Sequence, residues 1–249
     1  MVVRQTARCP AVLALVPPAL LTVLATLSID AQGAPPLATD DAATLEPGAC
    51  QFELERRRFG KHTELDLLPA CNLFLDAELA IGKQRFSGDG GYRLDSNVYQ
   101  IKKVLLPAAA SPWGFGISAA TVRSSMRSAE QVSAMRQDQV NALFTRQLAA
   151  ATLHANVGLV RDSAAQDGQL QSRYTWALAA EHEASPRWTV VCDMFGQRKV
   201  PRSSQAGVRW WAVPKYMQLT TSLGTQRGQG RDGRWASFGL RFETGGPVF

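Results

Sequence analysis

Apolar and polar residues alternate with a period of two along much of this chain, most clearly between Arg173 and Phe195. On each side of residues 184–187, every second side chain is apolar, whereas those between are mostly polar or charged. The apolar positions are Tyr174, Trp176, Leu178, Ala180, Trp188, Val190, Cys192 and Met194. Successive side chains of a strand point to opposite faces, so this pattern predicts a β-hairpin with one apolar and one polar face.

The same alternation recurs from Cys50 to Phe242 and predicts about twelve strands of about ten residues each. Short connections that contain proline lie at 106–112, 184–187 and 213–216, and longer polar ones lie at 83–91, 123–139, 162–171, 197–204 and 226–233. Two regions stay open. The facing of 92–105 is unresolved because of Lys102 and Lys103, and the spacing within 123–139 also allows a short helix.

The strand length and facing predict an all-β protein, a transmembrane antiparallel β-barrel in an up-and-down meander over residues 49–249. About ten residues is the length of a tilted strand that crosses a bilayer, and aromatic residues near its ends suit the headgroup level. A soluble periplasmic barrel with its apolar face turned inward is the alternative. That barrel would bury Trp176, Leu178, Trp188 and Val190.

The N-terminus has the pattern of a secretory signal peptide over residues 1–33. Arg4 and Arg8 precede an apolar run, and small residues at Ala31 and Gly33 follow it. A membrane anchor is the alternative, but Pro17 and its neighbour Pro18 interrupt the run. Residues 34–48 are rich in Ala, Pro and Asp without a period, which predicts a flexible lead-in; a plug inside the lumen is the less favoured alternative.

Cysteine positions predict one disulfide in this exported chain. A turn at Gly60 pairs the first two strands so that Cys50 lies opposite Cys71, and the same register aligns apolar residues and the pair Arg57 and Glu64. Directly opposed positions have the Cβ separation that a disulfide needs. An oxidising compartment permits this Cys50–Cys71 bond.

Charge favours some partners and excludes others. The formal net charge is +6, but the basic residues are scattered and do not interleave with aromatics, so we predict no nucleic-acid partner. Several arginines near the predicted outer loops, including Arg123, Arg127 and Arg136, either are attracted to anionic phosphates of the outer leaflet or simply keep the loops soluble, and the sequence leaves both alternatives open.

The polar face supplies the candidate functional residues. If the apolar face contacts lipid, the lumen is lined by Glu53, Glu55, Arg57, Asp66, Asp76, Glu78, His154, Asn156, Glu181, Asp193, Arg209 and Arg241. Such charges either select permeating solutes or pair with one another and fill a narrow barrel. We predict no metal site, because Glu55 and Asp66 lack a third ligand, and no catalytic residue, because no serine is placed beside His154.

Four stretches carry a family resemblance: LLPAC at 67–71, LHANVGLVRD at 153–162, YTWALAAEHEASPRWTVV at 174–191 and QAGVRWWAVP at 205–214. With the predicted signal peptide and the amphipathic strands, they make the chain similar to a family of small proteobacterial outer-membrane β-barrels. Members of that family are described only as porins or transporters.

The resemblance implies an outer-membrane, porin-like channel for small polar solutes, without a cofactor or enzymatic activity. Its expected partners are outer-membrane lipid, lipopolysaccharide and the outer-membrane assembly machinery of a Gram-negative cell. Two alternatives stay open: an outer-membrane enzyme that modifies lipid or lipopolysaccharide, and a structural barrel with an occluded lumen.

Overall fold

The computed structural model describes residues 37–74, 77–88, 91–108, 111–127, 132–164, 170–230 and 233–245. The wall is a closed barrel of twelve antiparallel strands, each paired with its neighbours in sequence, and β12 pairs with β1. The strands are β1 Cys50–Phe59, β2 His62–Phe74, β3 Ala77–Ser87, β4 Arg93–Leu106, β5 Trp113–Arg127, β6 Val132–Gln147, β7 Thr152–Ala164, β8 Leu170–Ser185, β9 Trp188–Gln197, β10 Ser203–Val213, β11 Met217–Gln226 and β12 Arg234–Glu243.

The predicted all-β meander is confirmed. Because the strand number is even, β1 starts and β12 ends at the same rim, which we call the proximal end; the opposite rim is the distal end. No helix in these described ranges is long and apolar enough to cross a bilayer. The expected signal peptide at residues 1–33 lies outside the described residues.

The polar region 123–139, where a loop or short helix was expected, is mostly strand. β5 continues to Arg127 and β6 begins at Val132, and the two pair along their full length. The alternation was hard to recognise because the outward face here carries Arg123 and Arg136 in place of apolar residues. Interstrand hydrogen bonds do not depend on side-chain polarity, so the ladder continues.

The predicted register of the first hairpin is confirmed. Cys50 lies opposite Cys71, and Arg57 lies opposite Glu64. Cys50 and Cys71 form a disulfide. The proximal rim is thereby cross-linked where the wall begins.

Burial divides the two faces of the wall sharply. Large apolar side chains are exposed on the outer surface, among them Ile81 at 64% and Val157 at 56%, while charged side chains such as Glu53 and Asp193 are buried inside. This distribution is that of a barrel in lipid, because a water-soluble protein buries its apolar residues instead. The soluble alternative is wrong, since Leu178, Trp188 and Val190 are all exposed.

The barrel also resolves the facing of β4. Lys102 is buried inside the barrel, whereas Tyr99 and Ile101 are exposed on the outer surface.

Residues 37–49, which precede β1, do not have the flexible course expected for 34–48. Leu37, Thr39, Asp40 and Ala42 are buried among the interior side chains of the wall, so this stretch, which we call the interior segment, occupies the lumen.

Candidate functional site

The barrel interior is the candidate site, and the structure places almost all of the sequence-predicted residues in it. Eleven of them lie on the interior face in buried or half-buried positions: Glu53, Glu55, Arg57, Asp66, Glu78, His154, Asn156, Glu181, Asp193, Arg209 and Arg241. Asp76 lies outside the described residues. A wall residue that the sequence did not assign, Lys102, joins them.

Asp193 on β9 holds the innermost part of the interior segment. Its Oδ2 accepts hydrogen bonds from the backbone N–H of Ala38 at 2.7 Å and of Thr39 at 3.3 Å, and from the Thr39 hydroxyl at 3.5 Å. The Asp193 side chain is buried, and an unpaired charge there would be costly. The segment therefore provides donors that the wall carboxylate needs.

Lys102 on β4 is the ionic centre of the interior. Its Nζ lies 3.2 Å from Asp40 and 3.4 Å from Asp41 of the interior segment, and 3.9 Å from Glu78 of the wall. Lys102 is only 8% exposed, so these carboxylates compensate for the hydration that its ammonium group has lost. Lys102 of the wall thus pairs with carboxylates of both the interior segment and β3.

The pKa values of Asp40 and Asp41 in the interior segment are shifted in opposite directions. Burial raises the pKa of Asp40 to about 7, against the lowering effect of Lys102. Burial also acts to raise the pKa of Asp41, but Lys102 and the other cations around it outweigh that effect and lower its pKa. Asp40 is therefore the segment group whose protonation changes near neutral pH.

Further along the segment, hydrogen bonds tie it to three other strands. The Ala42 N–H donates to Thr145 Oγ1 at 2.9 Å on β6, and the Leu45 N–H donates to Glu78 Oε2 at 3.2 Å on β3. Asn72 on β2 donates to the Leu45 carbonyl oxygen at 2.6 Å. The segment thus crosses the lumen before it enters β1 at Cys50.

His154 belongs to a buried polar chain on the proximal side. Its Nδ1 lies 3.0 Å from Thr145 Oγ1, and its Nε2 lies 3.5 Å from Glu181. Arg209 donates to the same Glu181 carboxylate at 2.7 Å. Thr145 lies beside His154, where the nucleophile of a catalytic site would lie. Its hydroxyl oxygen accepts the Ala42 N–H, so this group of polar side chains supports the interior segment.

Arginines neutralise the carboxylates of the first strands. Arg57 lies 3.4 Å from Glu55 and 3.5 Å from Glu64. Arg241 lies 3.6 Å from Glu53. Within the described ranges no group of three His, Cys, Asp or Glu side chains is arranged to hold a metal ion.

An aromatic layer lies toward the distal side of the segment. Trp235 is 5.4 Å from Phe59 and 6.4 Å from Phe195 between ring centroids, and all three pack with Ala38. The Trp235 ring covers Gly224 so closely that a residue with a Cβ would not fit there. Alternation along the chain did not reveal these interior aromatics, because aromatic residues near strand ends are expected on the lipid face.

A cavity of about 340 Å³ remains between the segment and the proximal part of the wall. Carboxylates outnumber cations in its lining: Asp40, Asp41, Glu46, Glu53, Glu78 and Glu243 against Lys102, Lys215 and Arg241. Oδ2 of Asp40 and Oε1 of Glu53 are buried and accept no hydrogen bond from a described residue. The space is therefore polar and acidic.

The fold and the site together define a class. A closed antiparallel barrel with an apolar outer surface and a charged interior is an outer-membrane β-barrel, and this location follows from the wall itself. More particularly, the chain belongs to the family described as "Uncharacterised conserved protein UCP029691", which matches residues 19–242. No protein with a curated description matches the chain.

Solved structures share the fold at low sequence identity. The NanC porin matches with a TM-score of 0.52 and 7% identity, covering 78% of this chain and 98% of that one. The KdgM porin, solved in complex with a disordered oligogalacturonate, matches with a TM-score of 0.50 and 10% identity over the same shares. At identities this low, the structural similarity shows a shared fold alone.

Proposed function

We propose that this protein is a porin-like channel for small polar solutes, with a preference for cations, whose lumen is closed by its own interior segment. Two of the solved barrels that it resembles, with TM-scores of 0.50 and 0.52, are described as porins. The lumen supports the preference for cations, because the wall presents more carboxylates to the interior than cations. Among the described residues, the buried or half-buried carboxylates of the interior face are Glu53, Glu55, Glu64, Asp66, Glu78, Asp162, Glu181, Asp193 and Glu243, and the cations are Arg57, Lys102, Arg173, Arg209 and Arg241.

The way the interior segment is held carries the proposal. Its contacts with the wall are mainly single hydrogen bonds and ion pairs, at Asp193, Lys102, Thr145, Glu78 and Asn72. These contacts are few compared with the continuous hydrogen-bond ladder of the wall, so the segment can leave without breaking that ladder. Displacement of the segment would expose a polar passage and leave the barrel intact.

In this proposal residues 1–33 are an export signal that is removed, and the outer-membrane assembly machinery inserts the barrel. The exposed apolar side chains of the wall then contact the acyl chains of the membrane. With β1 and β12 meeting at the proximal end, that end faces the periplasm. The interior segment therefore enters the lumen from the periplasmic side.

Conductance in planar bilayers tests the channel. We expect the chain from residue 34 onward to show brief, infrequent openings, and the same chain lacking residues 37–48 to stay open. Reversal potentials across a salt gradient should show cation selectivity in the shortened chain. Absence of conductance from both proteins, with folded barrels verified by heat-dependent gel mobility, would instead identify a structural barrel with an occluded lumen.

Neutralisation of a lumen charge tests the selectivity separately. In the shortened chain, Glu78→Gln should shift the reversal potential toward that of a non-selective pore, because Glu78 is buried and lines the passage. Asp138→Asn is the control, since Asp138 lies on the outer face of β6 beside Arg136, outside the lumen. Equal effects of the two substitutions would remove the lumen charge as the cause of selectivity.

A further inference from the structure

A dense group of cations covers one part of the outer surface near the distal end. It comprises seven outward-facing residues on five consecutive strands, which we call the outer basic patch: Lys83, Arg85, Arg93, Arg123, Arg127, Arg136 and Arg161. All seven are exposed. None of them faces the lumen, so the patch is separate from the proposed channel.

The strand register places several of these cations directly against one another. Arg93 on β4 lies opposite Arg127 on β5, and Arg123 on β5 lies opposite Arg136 on β6. Like charges at directly opposed cross-strand positions are destabilising. Two such pairs on neighbouring strands therefore concentrate positive charge on this part of the outer surface.

The carboxylates within the patch are too few to neutralise it. Asp95 lies 2.8 Å from Arg85 and 2.6 Å from Arg93, and Asp138 lies 2.9 Å from Arg136. Arg161 lies directly opposite Asp138, which it shares with Arg136, and no ion pair occurs at Arg123 or Arg127 within the described ranges. Charge complementarity therefore favours an anionic partner with more than one negative group.

The position of the patch identifies the kind of partner. On the same strands, exposed apolar residues lie next to it on the proximal side: Tyr99 and Ile101 on β4, Val140 on β6 and Leu159 on β7. Acyl chains cover such residues, so the patch lies at the level of the lipid headgroups. Because the proximal end faces the periplasm, these are headgroups of the outer leaflet.

We propose that the outer basic patch binds the phosphate groups of lipopolysaccharide in the outer leaflet. Guanidinium groups form bidentate, charge-assisted hydrogen bonds with phosphate, and opposed arginine pairs on adjacent strands place two such groups around one phosphate. A lipid carrying two phosphates spans both opposed pairs. The site anchors the β4–β6 side of the barrel, and it does so independently of whether the lumen conducts.

Native mass spectrometry of the detergent-solubilised barrel tests the site, with diphosphoryl lipid A as the probe. We expect the double substitution Arg123→Gln and Arg136→Gln to weaken lipid A binding by about tenfold to 100-fold. The matched control is Arg58→Gln with Arg234→Gln, two exposed distal arginines on β1 and β12. Equal losses in the two variants would overturn the proposal, because a general effect of charge would then explain the binding.

Two further comparisons distinguish the source of the phosphate. Inorganic phosphate at millimolar concentration should fail to displace lipid A, and phosphatidylglycerol should bind more weakly than lipid A. Displacement by free phosphate, or equal binding of both lipids, would overturn the assignment to lipopolysaccharide. Heat-dependent gel mobility of each variant verifies that the barrel is folded, and Arg93→Gln with Arg127→Gln provides a second test of the patch should the first variant not fold.

Discussion

Asp193 accepts a hydrogen bond at 2.7 Å from the backbone N–H of Ala38, although 155 positions separate the two residues in the sequence. The bond links the wall to the stretch that precedes it, across the middle of the lumen. Its partners are a buried carboxylate and a backbone donor, so neither is easily satisfied if the other leaves. This relationship makes the interior segment a defined part of the structure.

Removal of the Asp193 carboxylate should release the inner part of the segment. Asp193→Ala deletes the acceptor of two backbone N–H groups, and a hydrogen bond to a charged group contributes about 1.5–3 kcal/mol. We expect the open probability in planar bilayers to rise by about tenfold or more. Glu183→Ala is the control, and an unchanged open probability in Asp193→Ala would show that the segment is held elsewhere.

Substitution of Lys102 should lower the stability of the barrel more than substitution of any one of its partners. Lys102→Met leaves Asp40, Asp41 and Glu78 without their shared cation, and breaking a buried ion pair from one side costs about 3–5 kcal/mol. Unfolding in urea within lipid vesicles measures the loss. Combination with Asp40→Asn should recover part of it, because fewer negative charges then remain unpaired. Strict additivity of the two substitutions would contradict the ionic cluster.

The docking of the segment should depend on pH through Asp40. Its pKa rises from an ordinary value of 3.8 to about 7 in the docked state, so the protonated form favours docking. Docking should therefore weaken as pH rises from about 4 to about 7, by at most ~1.4 kcal/mol per pH unit. Asp41 has a lowered pKa and acts only below its ordinary value.

Conductance recorded at pH 5 and pH 7 checks this sign. The open probability should be higher at pH 7, and Asp40→Asn should remove most of the difference. A larger open probability at pH 5 in the unaltered chain would mean that another group controls the segment.

The disulfide should stabilise the proximal rim. Cys50→Ser with Cys71→Ser opens a link between residues 21 positions apart, which corresponds to about 3 kcal/mol of chain entropy in the unfolded state. We expect a lower urea midpoint of unfolding in vesicles. Cys192→Ser is the control, because Cys192 is not in a disulfide. Identical midpoints for the two variants would show that strand pairing alone sets the stability of the rim.

Because the outer face of the wall contacts lipid, the free-energy cost of an outward-facing charge should depend strongly on its depth in the membrane. Val157→Arg places a guanidinium near the middle of the apolar band, at a cost of about 2–4 kcal/mol, whereas Leu105→Arg near the proximal rim should cost about 0–1 kcal/mol. Folding yields in vesicles over a urea series compare the two. Equal yields would contradict the position of the membrane.

The sequence by itself determined the local features of the wall. Period-two alternation predicted the strands and their facing, as at Val157 and Glu78, because side chains of a strand alternate between faces whatever the strand later pairs with. A tight turn then defined the register of the first hairpin and with it the Cys50–Cys71 bond. These features depend on neighbours in the chain.

Alternation failed where the outer surface leaves the acyl chains. Around Arg123 and Arg136 the outward side chains are charged and inward neighbours such as Ser124 and Gln137 are polar, so apolar and polar residues do not alternate there. The facing of Lys102 was hidden by Lys103 beside it, because both side chains carry the same charge. Only strand pairing with β3 and β5 settled which lysine points inward.

Tertiary structure alone decided the contents of the lumen. Nothing in the composition of residues 37–49 indicates a partner, since their donors and carboxylates are satisfied by Asp193, Lys102 and Thr145 from three distant strands. Those contacts exist only after the barrel closes and surrounds the segment. Alternation is a property of each strand, so the sequence could predict the strands and the barrel that they form. An enclosed space is a property of the whole wall, so only the closed structure showed which residues fill it.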